Sequence, residues 1–192
     1  MSLVPFKSSI CGLEELAGHC ERGVSHVLSI LDPDWPVPEV FGQYGEHARI
    51  ELRFHDVIDA SRPEMTPPNE EHVTRLLAFG QELTAERPAD AHLLVHCHAG
   101  VSRSTAALAL ILAQARPDAS AAEVLAEVLR IRPKAWPNLL ILEIGDAQLG
   151  RGGALVAAAA GVYRAQIDNR DYVADFMRAG GRGREVDASA VG

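Results

Sequence analysis

Lysine is scarce in this chain of 192 residues, where only Lys7 and Lys134 occur and arginine supplies the other basic side chains. Acidic residues outnumber basic ones by 26 to 18, and the formal net charge is −8 at pH 7. Without a basic surplus the chain cannot neutralise a run of backbone phosphates, so we expect no nucleic-acid partner. A single anionic substrate stays open, because one pocket can concentrate positive charge locally. The preference for arginine, together with abundant alanine, indicates a GC-rich bacterial genome.

Cysteines and long apolar runs are also few. The three cysteines, Cys11, Cys20 and Cys97, are too few and too scattered for a disulfide framework. The N-terminal residues lack the pattern of a signal peptide. Apolar runs such as residues 153–162 fall well short of the ~20 residues that a membrane helix needs. We therefore expect a protein of the reducing cytosol, without a membrane partner, in which a free thiol stays available for chemistry.

A hydrophobic fraction of 47% is typical of a folded globular domain. Three short segments have β-strand patterns: residues 24–31, 50–54 and 92–97. Four longer segments have helical patterns: residues 70–87, 102–115, 120–131 and 139–149. Ser120 and Asn138 are N-cap signals for the last two helices. Strands that alternate with helices predict an α/β fold with a mainly parallel central sheet flanked by helices.

The domain organisation follows from where these patterns end. Residues 1–150 contain all the elements named above and are predicted to form one domain. Residues 151–192 are predicted to add a C-terminal helix over residues 154–177. A frayed, flexible tail is predicted from residue 180 to the end.

One loop carries more chemistry than any other stretch, the HCHAGVSRS sequence of residues 96–104. It leaves a buried strand and enters an apolar helix, so its backbone N–H groups and the helix N-terminus can surround one tetrahedral anion. Gly100 tolerates unusual backbone angles close to a ligand, and Arg103 offers a planar fork to two phosphoryl oxygens. The predicted substrate-binding residues are His98, Ala99, Gly100, Val101, Ser102 and Arg103.

The same loop places a cysteine where a nucleophile would stand. The N–H groups that bind an anion also stabilise the thiolate of Cys97, which is the reactive form. The Ser104 hydroxyl is predicted to stabilise that thiolate when it leaves in a second step. His96 is predicted to orient the loop through hydrogen bonds to backbone groups beneath it. A metal site is not expected, because His92, His96, Cys97 and His98 follow one another along a strand and do not converge; no cofactor is predicted.

Residues 96–104 resemble the signature of the cysteine-dependent protein tyrosine phosphatases of the compact dual-specificity type: His-Cys, five residues, Arg, then Ser or Thr. Residues 23–30 are similar to that family's Gly-Ile-Thr-His-Val-Leu-Asn strand. The Arg-Pro, Pro-Asn and Gln-Leu pairs at residues 132–149 are similar to the segment after its catalytic helix. The resemblance covers about residues 10–150 and implies hydrolysis of phosphomonoesters through a phosphocysteine at Cys97. It also implies that Asn138 helps to brace the loop.

The family's general acid is an aspartate just after the strand that precedes the long helix. Residues 50–54 correspond to that strand, and the resemblance implies that Asp56, the first aspartate after it, is the acid. Residues 57–65 look like an insertion, which keeps Asp59 open as a rival.

The expected substrate is a protein phosphorylated on tyrosine or on serine or threonine, or another phosphomonoester. Residues 98–102 contain no lysine, whereas phosphoinositide phosphatases of this superfamily usually place lysines there. Two other functions stay open: a catalytically silent phosphate-binding module and a rhodanese-like sulfurtransferase, whose cysteine loop is also an anion nest. The presence of Cys97, Arg103 and Ser104 together disfavours the silent module. The Arg-Ser ending of the loop and the Pro-Asn segment fit a phosphatase better than a sulfurtransferase. The sequence makes no prediction of oligomeric state.

Overall fold

A computed structural model of the chain describes residues 3–86 and 90–190. In these ranges the sheet consists of β1 (Lys7–Cys11), β2 (His26–Leu31), β3 (Ala48–Arg53) and β4 (His92–His96). The strand order is β1-β4-β2-β3, and every neighbouring pair is parallel. The predicted α/β fold with a parallel central sheet is confirmed.

Helices cover the sheet and continue to the C-terminal end. The α-helices are α1 (Glu70–Glu86), α2 (Arg103–Ala115), α3 (Ala121–Ile131), α4 (Leu139–Gln148), α5 (Ala154–Asp168), α6 (Val173–Ala179) and α7 (Gly183–Ala188). Short 3-10 helices are formed by Leu13–His19 and Glu39–Gln43. The end predicted for the first helix, residue 87, lies outside the described residues. None of the helices in the described ranges has the length and apolar character needed to cross a bilayer.

The first strand, β1, was not predicted from the sequence. Its sequence KSSIC has two adjacent serines, and only Ile10 and Cys11 of the strand are buried. The strand forms because it pairs in parallel with the buried β4, with Lys7 opposite His92 and Cys11 opposite His96. The extended conformation of β1 therefore depends on pairing with the neighbouring strand and not on the intrinsic β-propensity of its residues.

The buried helix α2 organises the core. Residues 103–113 are all buried, because α2 packs between the sheet strands β1 and β4 and the helices α1, α3 and α4. Gly145 on α4 permits this close approach, since a Cβ added there would lie 2.2 Å from Cδ1 of Leu110. The packing holds the N-terminus of α2, and the loop before it, at the carboxyl edge of the sheet.

The prediction of one helix over residues 154–177 and a frayed tail after it is wrong for the described residues. The helix α5 ends at Asp168, and the next residue, Asn169, donates a hydrogen bond of 2.7 Å from Nδ2 to the Ala165 carbonyl. Two separate helices, α6 and α7, follow. Tyr163 and Val186 belong to the same hydrophobic core as α2, and Glu185 is fully buried. Burial of these side chains orders the segment up to residue 190; residues 191–192 lie outside the described ranges.

Candidate active site

Residues 97–103, here called the cysteine loop, are held from outside by an arginine. Arg132 donates from Nε to the Gly100 carbonyl at 2.8 Å and from Nη2 to the Ala99 carbonyl at 3.1 Å. Two hydrogen bonds to Glu15, at 2.9 and 2.6 Å, fix the guanidinium in turn. Arg132 is therefore a clamp on the outer side of the loop, and it is the arginine of the Arg-Pro pair noted in the sequence.

Three further carbonyls of the loop also point outward. They accept from backbone N–H groups: His98 from Leu13 at 2.9 Å, Val101 from Trp136 at 2.9 Å and Ser102 from Ala106 at 3.1 Å. In a trans peptide the N–H group points opposite to the carbonyl, so the amides of residues 99–103 point to the inner side. Within the described part of the chain, these amides donate no hydrogen bond to another group. Unpaired N–H groups that converge at a helix N-terminus form a site for an anion.

Two glycines let the loop adopt this path. Gly100 has φ +65°, and a Cβ there would lie 2.4 Å from the carbonyl carbon of Cys11. A Cβ at Gly12 would lie 2.9 Å from the His98 oxygen. The loop backbone therefore packs directly on the end of β1, which only glycine permits at position 100.

The inner side of the loop forms the floor of a cavity of about 390 Å³. Cys97 is 2% exposed, and its Sγ lies 3.3 Å from the Ser104 hydroxyl oxygen. Walls from outside the loop are supplied by Asp56, Trp136, Phe176, Met177, Gly180 and Arg182. The structure thus places the predicted nucleophile and its serine in contact at the bottom of a pocket.

Arg103 is oriented by a carboxylate that sequence analysis did not identify. Its Nη1 donates to Asp32 Oδ1 at 2.6 Å and to the Phe54 carbonyl at 2.7 Å. Its Nε is buried and has no hydrogen-bond partner among the described residues, although Arg103 lines the cavity. One edge of the guanidinium is therefore fixed by the protein, while Nε has no partner among the described residues. Asp32 directly follows β2. Because the carboxyl ends of parallel strands lie at the same edge of the sheet, its position after a predicted strand could have indicated that Asp32 lies near the cysteine loop.

His98 lies at the rim of the cavity as a neutral ring. Its Nε2 accepts a hydrogen bond from the Asp32 backbone N–H at 3.3 Å, and its ring packs at a tilt of 54° against Trp35, with centroids 4.5 Å apart. Burial, together with the nearby Arg103 charge, lowers the pKa of His98 below its usual 6.5. The ring therefore adds no positive charge at neutral pH.

His96 supports the loop differently from the prediction. Neither ring nitrogen has a hydrogen-bond partner of good geometry among the described residues, and the nearby Cys97 backbone makes only a weak polar contact. Burial lowers the pKa of His96 to about 4, while that contact opposes the shift. The ring packs against Phe41, with centroids 5.5 Å apart. His96 is therefore a neutral packing residue beneath the loop, and the hydrogen bonds predicted from its ring to backbone groups are not found among the described residues.

The histidines of β4 and the loop do not gather around one point. His92 is engaged at the opposite end of the strand, where its ring nitrogens contact Ser9 Oγ at 2.8 Å and the Arg22 carbonyl at 3.1 Å. Among residues 3–86 and 90–190, no group of three or more His, Cys, Asp or Glu side chains is arranged to hold a metal ion.

Asp56 lies at the wall of the cavity and accepts three hydrogen bonds at Oδ1. The donors are Ser102 Oγ at 2.7 Å, Asn138 Nδ2 at 2.8 Å and Arg182 Nη1 at 3.1 Å. Burial raises the pKa of Asp56, but the charges of Arg182 and Arg103 and these hydrogen bonds outweigh it and lower the pKa. Asp56 is therefore ionised in the free protein.

Asn138 connects this carboxylate to the loop and to α4. Its Nδ2 also donates to the Val57 carbonyl at 3.1 Å, its backbone N–H to the Ser102 carbonyl at 3.3 Å, and its Oδ1 accepts from Ile141 at 3.1 Å. These contacts support the bracing role that the resemblance implied.

The rival aspartate has another partner. Asp59 Oδ1 accepts from the Ser61 N–H at 2.9 Å and from the Ser61 hydroxyl, and Asp59 is not among the residues that line the cavity. Its carboxylate closes a local turn. The structure brings Asp56 to the cavity, and it leaves Asp59 outside.

Arg182 is a further site residue that sequence analysis missed. Its Nη1 contacts Asp56, and its Nη2 donates to Ser102 Oγ at 3.0 Å and to Glu185 Oε1 at 2.5 Å. Trp136, which directly precedes the Pro-Asn pair, donates its Nε1 to Glu185 as well. The sequence around Arg182 is GRGRE, which is typical of a glycine-rich loop and does not predict a buried ion pair.

Comparisons with known proteins show the fold. No family model matches the chain, and no curated protein matches it. Human DUSP28 superposes with a TM-score of 0.56 at 17% identity, over 80% of this chain and 97% of that one. PTPMT1 in complex with PI(5)P gives 0.53 at 15% identity, over 79% and 94%. Human tyrosine phosphatase-like serine/threonine/tyrosine-interacting protein gives 0.53 at 17%, over 74% and 87%. The chain therefore has the fold of the compact dual-specificity phosphatases.

Proposed function

We propose that this chain, on a compact dual-specificity phosphatase fold, hydrolyses phosphomonoesters of phosphorylated proteins through a phosphocysteine at Cys97. The observation that carries the proposal is the direction of the loop peptides. The carbonyls of residues 98–102 are all bonded outward, so the amides of residues 99–103 face the inner side, where they donate to no group of the described residues. This inner side encloses the Cys97 thiol, and the proposed substrates carry phosphotyrosine, with phosphoserine and phosphothreonine as further candidates.

The first step transfers the phosphoryl group to sulfur. Cys97, as the thiolate, attacks phosphorus through Sγ in line with the ester oxygen, so a P–S bond forms while the P–O bond breaks. The loop amides and the free Nε of Arg103 hold the equatorial oxygens and stabilise their charge. Asp56 gives its proton to the departing oxygen.

The charge state of Asp56 has to change when substrate binds. In the free protein Arg182 and Arg103 keep the carboxylate ionised. A phosphate dianion in the loop places negative charge beside the carboxylate, and like charges favour protonation. Substrate binding therefore promotes the form of Asp56 that the first step needs.

The second step releases phosphate. Asp56, now ionised, takes a proton from water as the water attacks phosphorus, and the P–S bond breaks. The Ser104 hydroxyl, 3.3 Å from Cys97 Sγ, donates a hydrogen bond to the departing thiolate. The protein needs its thiols reduced for this cycle, so we place it in the cytosol; Cys11, Cys20 and Cys97 are all free.

The test is a phosphate-release assay with p-nitrophenyl phosphate in the presence of a chelator, followed by acid trapping of the intermediate. We expect steady release and a mass increase of one phosphoryl group on the peptide that contains Cys97. Thiocyanate formation from thiosulfate and cyanide, without phosphate release, would identify a sulfurtransferase. Tight phosphate binding with no turnover of any ester would identify a binding module. Either result overturns the proposal.

A further inference from the structure

Arg182 bridges two parts of the site from a distant segment of the chain. Its side chain is 8% exposed. Nη1 lies 3.1 Å from Asp56 Oδ1, and Nη2 lies 3.0 Å from Ser102 Oγ. The Ser102 hydroxyl in turn donates a hydrogen bond of 2.7 Å to the same Asp56 oxygen. The three side chains form a closed hydrogen-bonded set in which the guanidinium holds the carboxylate against the cysteine loop.

A second carboxylate fixes Arg182 from behind. Glu185 is fully buried and accepts at Oε1 from Arg182 Nη2 at 2.5 Å and from the Leu139 N–H at 3.0 Å. Its other oxygen accepts from Trp136 Nε1. Arg182 is therefore not a loose surface arginine, because its partner is anchored to the start of α4 and to the cavity wall.

Stability alone does not account for this arrangement. Desolvation of two buried charges can exceed the attraction between them. In addition, the buried Nε of Arg182 has no hydrogen-bond partner among the described residues. A costly buried group at the cavity wall is a candidate for function.

The other charged and titratable groups around Asp56 do not replace Arg182. Arg103 faces Asp56 from α2, but its Nη1 is occupied by Asp32 and the Phe54 carbonyl. His98 faces it from the loop as a neutral ring. The Tyr163 hydroxyl of α5 donates to the Pro137 carbonyl. Of the described residues, Arg182 is the cation that touches the carboxylate.

We propose that Arg182 is the positioning residue of Asp56: it holds the carboxylate at the cavity wall against the cysteine loop, so α7 and the turn before it are part of the active site. This inference rests on the proposed function. It gives the C-terminal segment a catalytic purpose that its glycine-rich sequence does not suggest.

Removal of the Arg182 guanidinium should shift the pKa of Asp56 in one direction. Without the guanidinium, the largest of the interactions that lower the pKa of Asp56 is lost, so that pKa rises relative to the wild type. A general acid works only while protonated, so the basic limb of the kcat/KM profile moves to higher pH. The carboxylate also loses its fixed place, so turnover of esters with poor leaving groups falls by about tenfold, a part of the ~10²–10⁴ that general acid catalysis supplies.

The experiment compares Arg182→Met with Arg182→Lys and with Arg178→Met, a matched change at an exposed arginine of α6 that pairs with Asp187. Phenyl phosphate and p-nitrophenyl phosphate serve as poor and good leaving groups. We expect Arg182→Met to shift the basic limb upward and to slow phenyl phosphate far more than p-nitrophenyl phosphate. Arg182→Lys should keep the limb because the charge stays, and Arg178→Met should behave as the wild type.

A direct readout separates this inference from the proposed function. The carboxyl carbon of Asp56, in protein labelled with ¹³C-aspartate and assigned with Asp56→Asn, is titrated by NMR in the wild type and in Arg182→Met. If no ester is hydrolysed, the proposed function fails while the titration still reports on Arg182. An unchanged Asp56 titration in a folded Arg182→Met protein overturns the inference. Where the Met variant does not fold, Arg182→Gln preserves much of the volume and is judged by the same titration.

Discussion

The Asp32 carboxylate lies 2.6 Å from Nη1 of Arg103, although the two residues are 71 positions apart in the chain. The contact joins the end of β2 to the start of α2 and fixes one edge of the guanidinium. The Phe54 carbonyl, at the end of β3, accepts from the same nitrogen at 2.7 Å. The carboxyl ends of two strands thus orient the side chain that is proposed to hold phosphate.

Replacement of Asp32 tests this orientation. In Asp32→Asn the charged hydrogen bond is lost, and such bonds contribute about 1.5–3 kcal/mol. We expect kcat/KM for p-nitrophenyl phosphate to fall roughly 10- to 100-fold, because Arg103 no longer presents Nε in one orientation. The neighbouring, exposed Asp34 provides the control, and Asp34→Asn should leave kinetics unchanged. Equal effects of the two variants would show that Asp32 acts only through general surface charge.

The nucleophile and the anion site can be separated at Cys97. Cys97→Ser should abolish turnover and still bind phosphate, because the outward-bonded carbonyls and inward amides remain. Calorimetric titration with phosphate measures the binding, and a phosphate-release assay measures the turnover. Cys20→Ser, at a half-buried cysteine outside the site, should retain full activity. Substantial hydrolysis by Cys97→Ser would contradict the phosphocysteine mechanism.

The general acid is testable by leaving group and pH. Asp56→Asn should lower kcat for phenyl phosphate by ~10²–10⁴-fold and remove the basic limb of the kcat/KM profile. Because the pKa of Asp56 is lowered in the free protein, the wild-type limb should already descend in the acidic range. Asp59→Asn is the matched control and should change neither quantity. The reverse pattern would assign the acid to Asp59.

The Arg132–Glu15 pair on the outer side of the cysteine loop predicts that the free energy of unfolding depends on pH. The Arg132 hydrogen bonds lower the pKa of Glu15 from 4.5 to about 2. A depressed carboxyl pKa stabilises the fold above the unfolded value of 4.5 and loses that contribution as pH falls to about 2. Salt should weaken the effect, because Glu15 is 46% exposed.

Urea unfolding of the wild type and of Glu15→Gln measures this contribution. We expect the wild type to be more stable at neutral pH and the difference to shrink as the pH is lowered through that range. Glu14→Gln, at the adjacent residue, is the control and should show no such pH-dependent difference. A difference that stays constant down to pH 2 would refute the role of the Glu15–Arg132 pair.

The sequence by itself determined the local features of this protein. Apolar patterns placed β2, β3, β4 and α1 to α4, and the Ser120 and Asn138 caps are found where predicted, each accepting a hydrogen bond from the N–H group three residues on. The cysteine loop could also be predicted from the sequence, because its glycine, its arginine and the strand and helix that flank it all lie within a few residues of each other.

The tertiary structure decided what depends on contacts between distant residues. β1 exists through its pairing with β4, Asp32 reaches Arg103 across 71 positions, and Arg182 reaches Asp56 across 126. Periodicity and capping report only on neighbours along the chain. A buried ion pair depends instead on which segments the core packing brings together, and the burial of Glu185 beside Trp136 is what turns a glycine-rich end into a wall of the site.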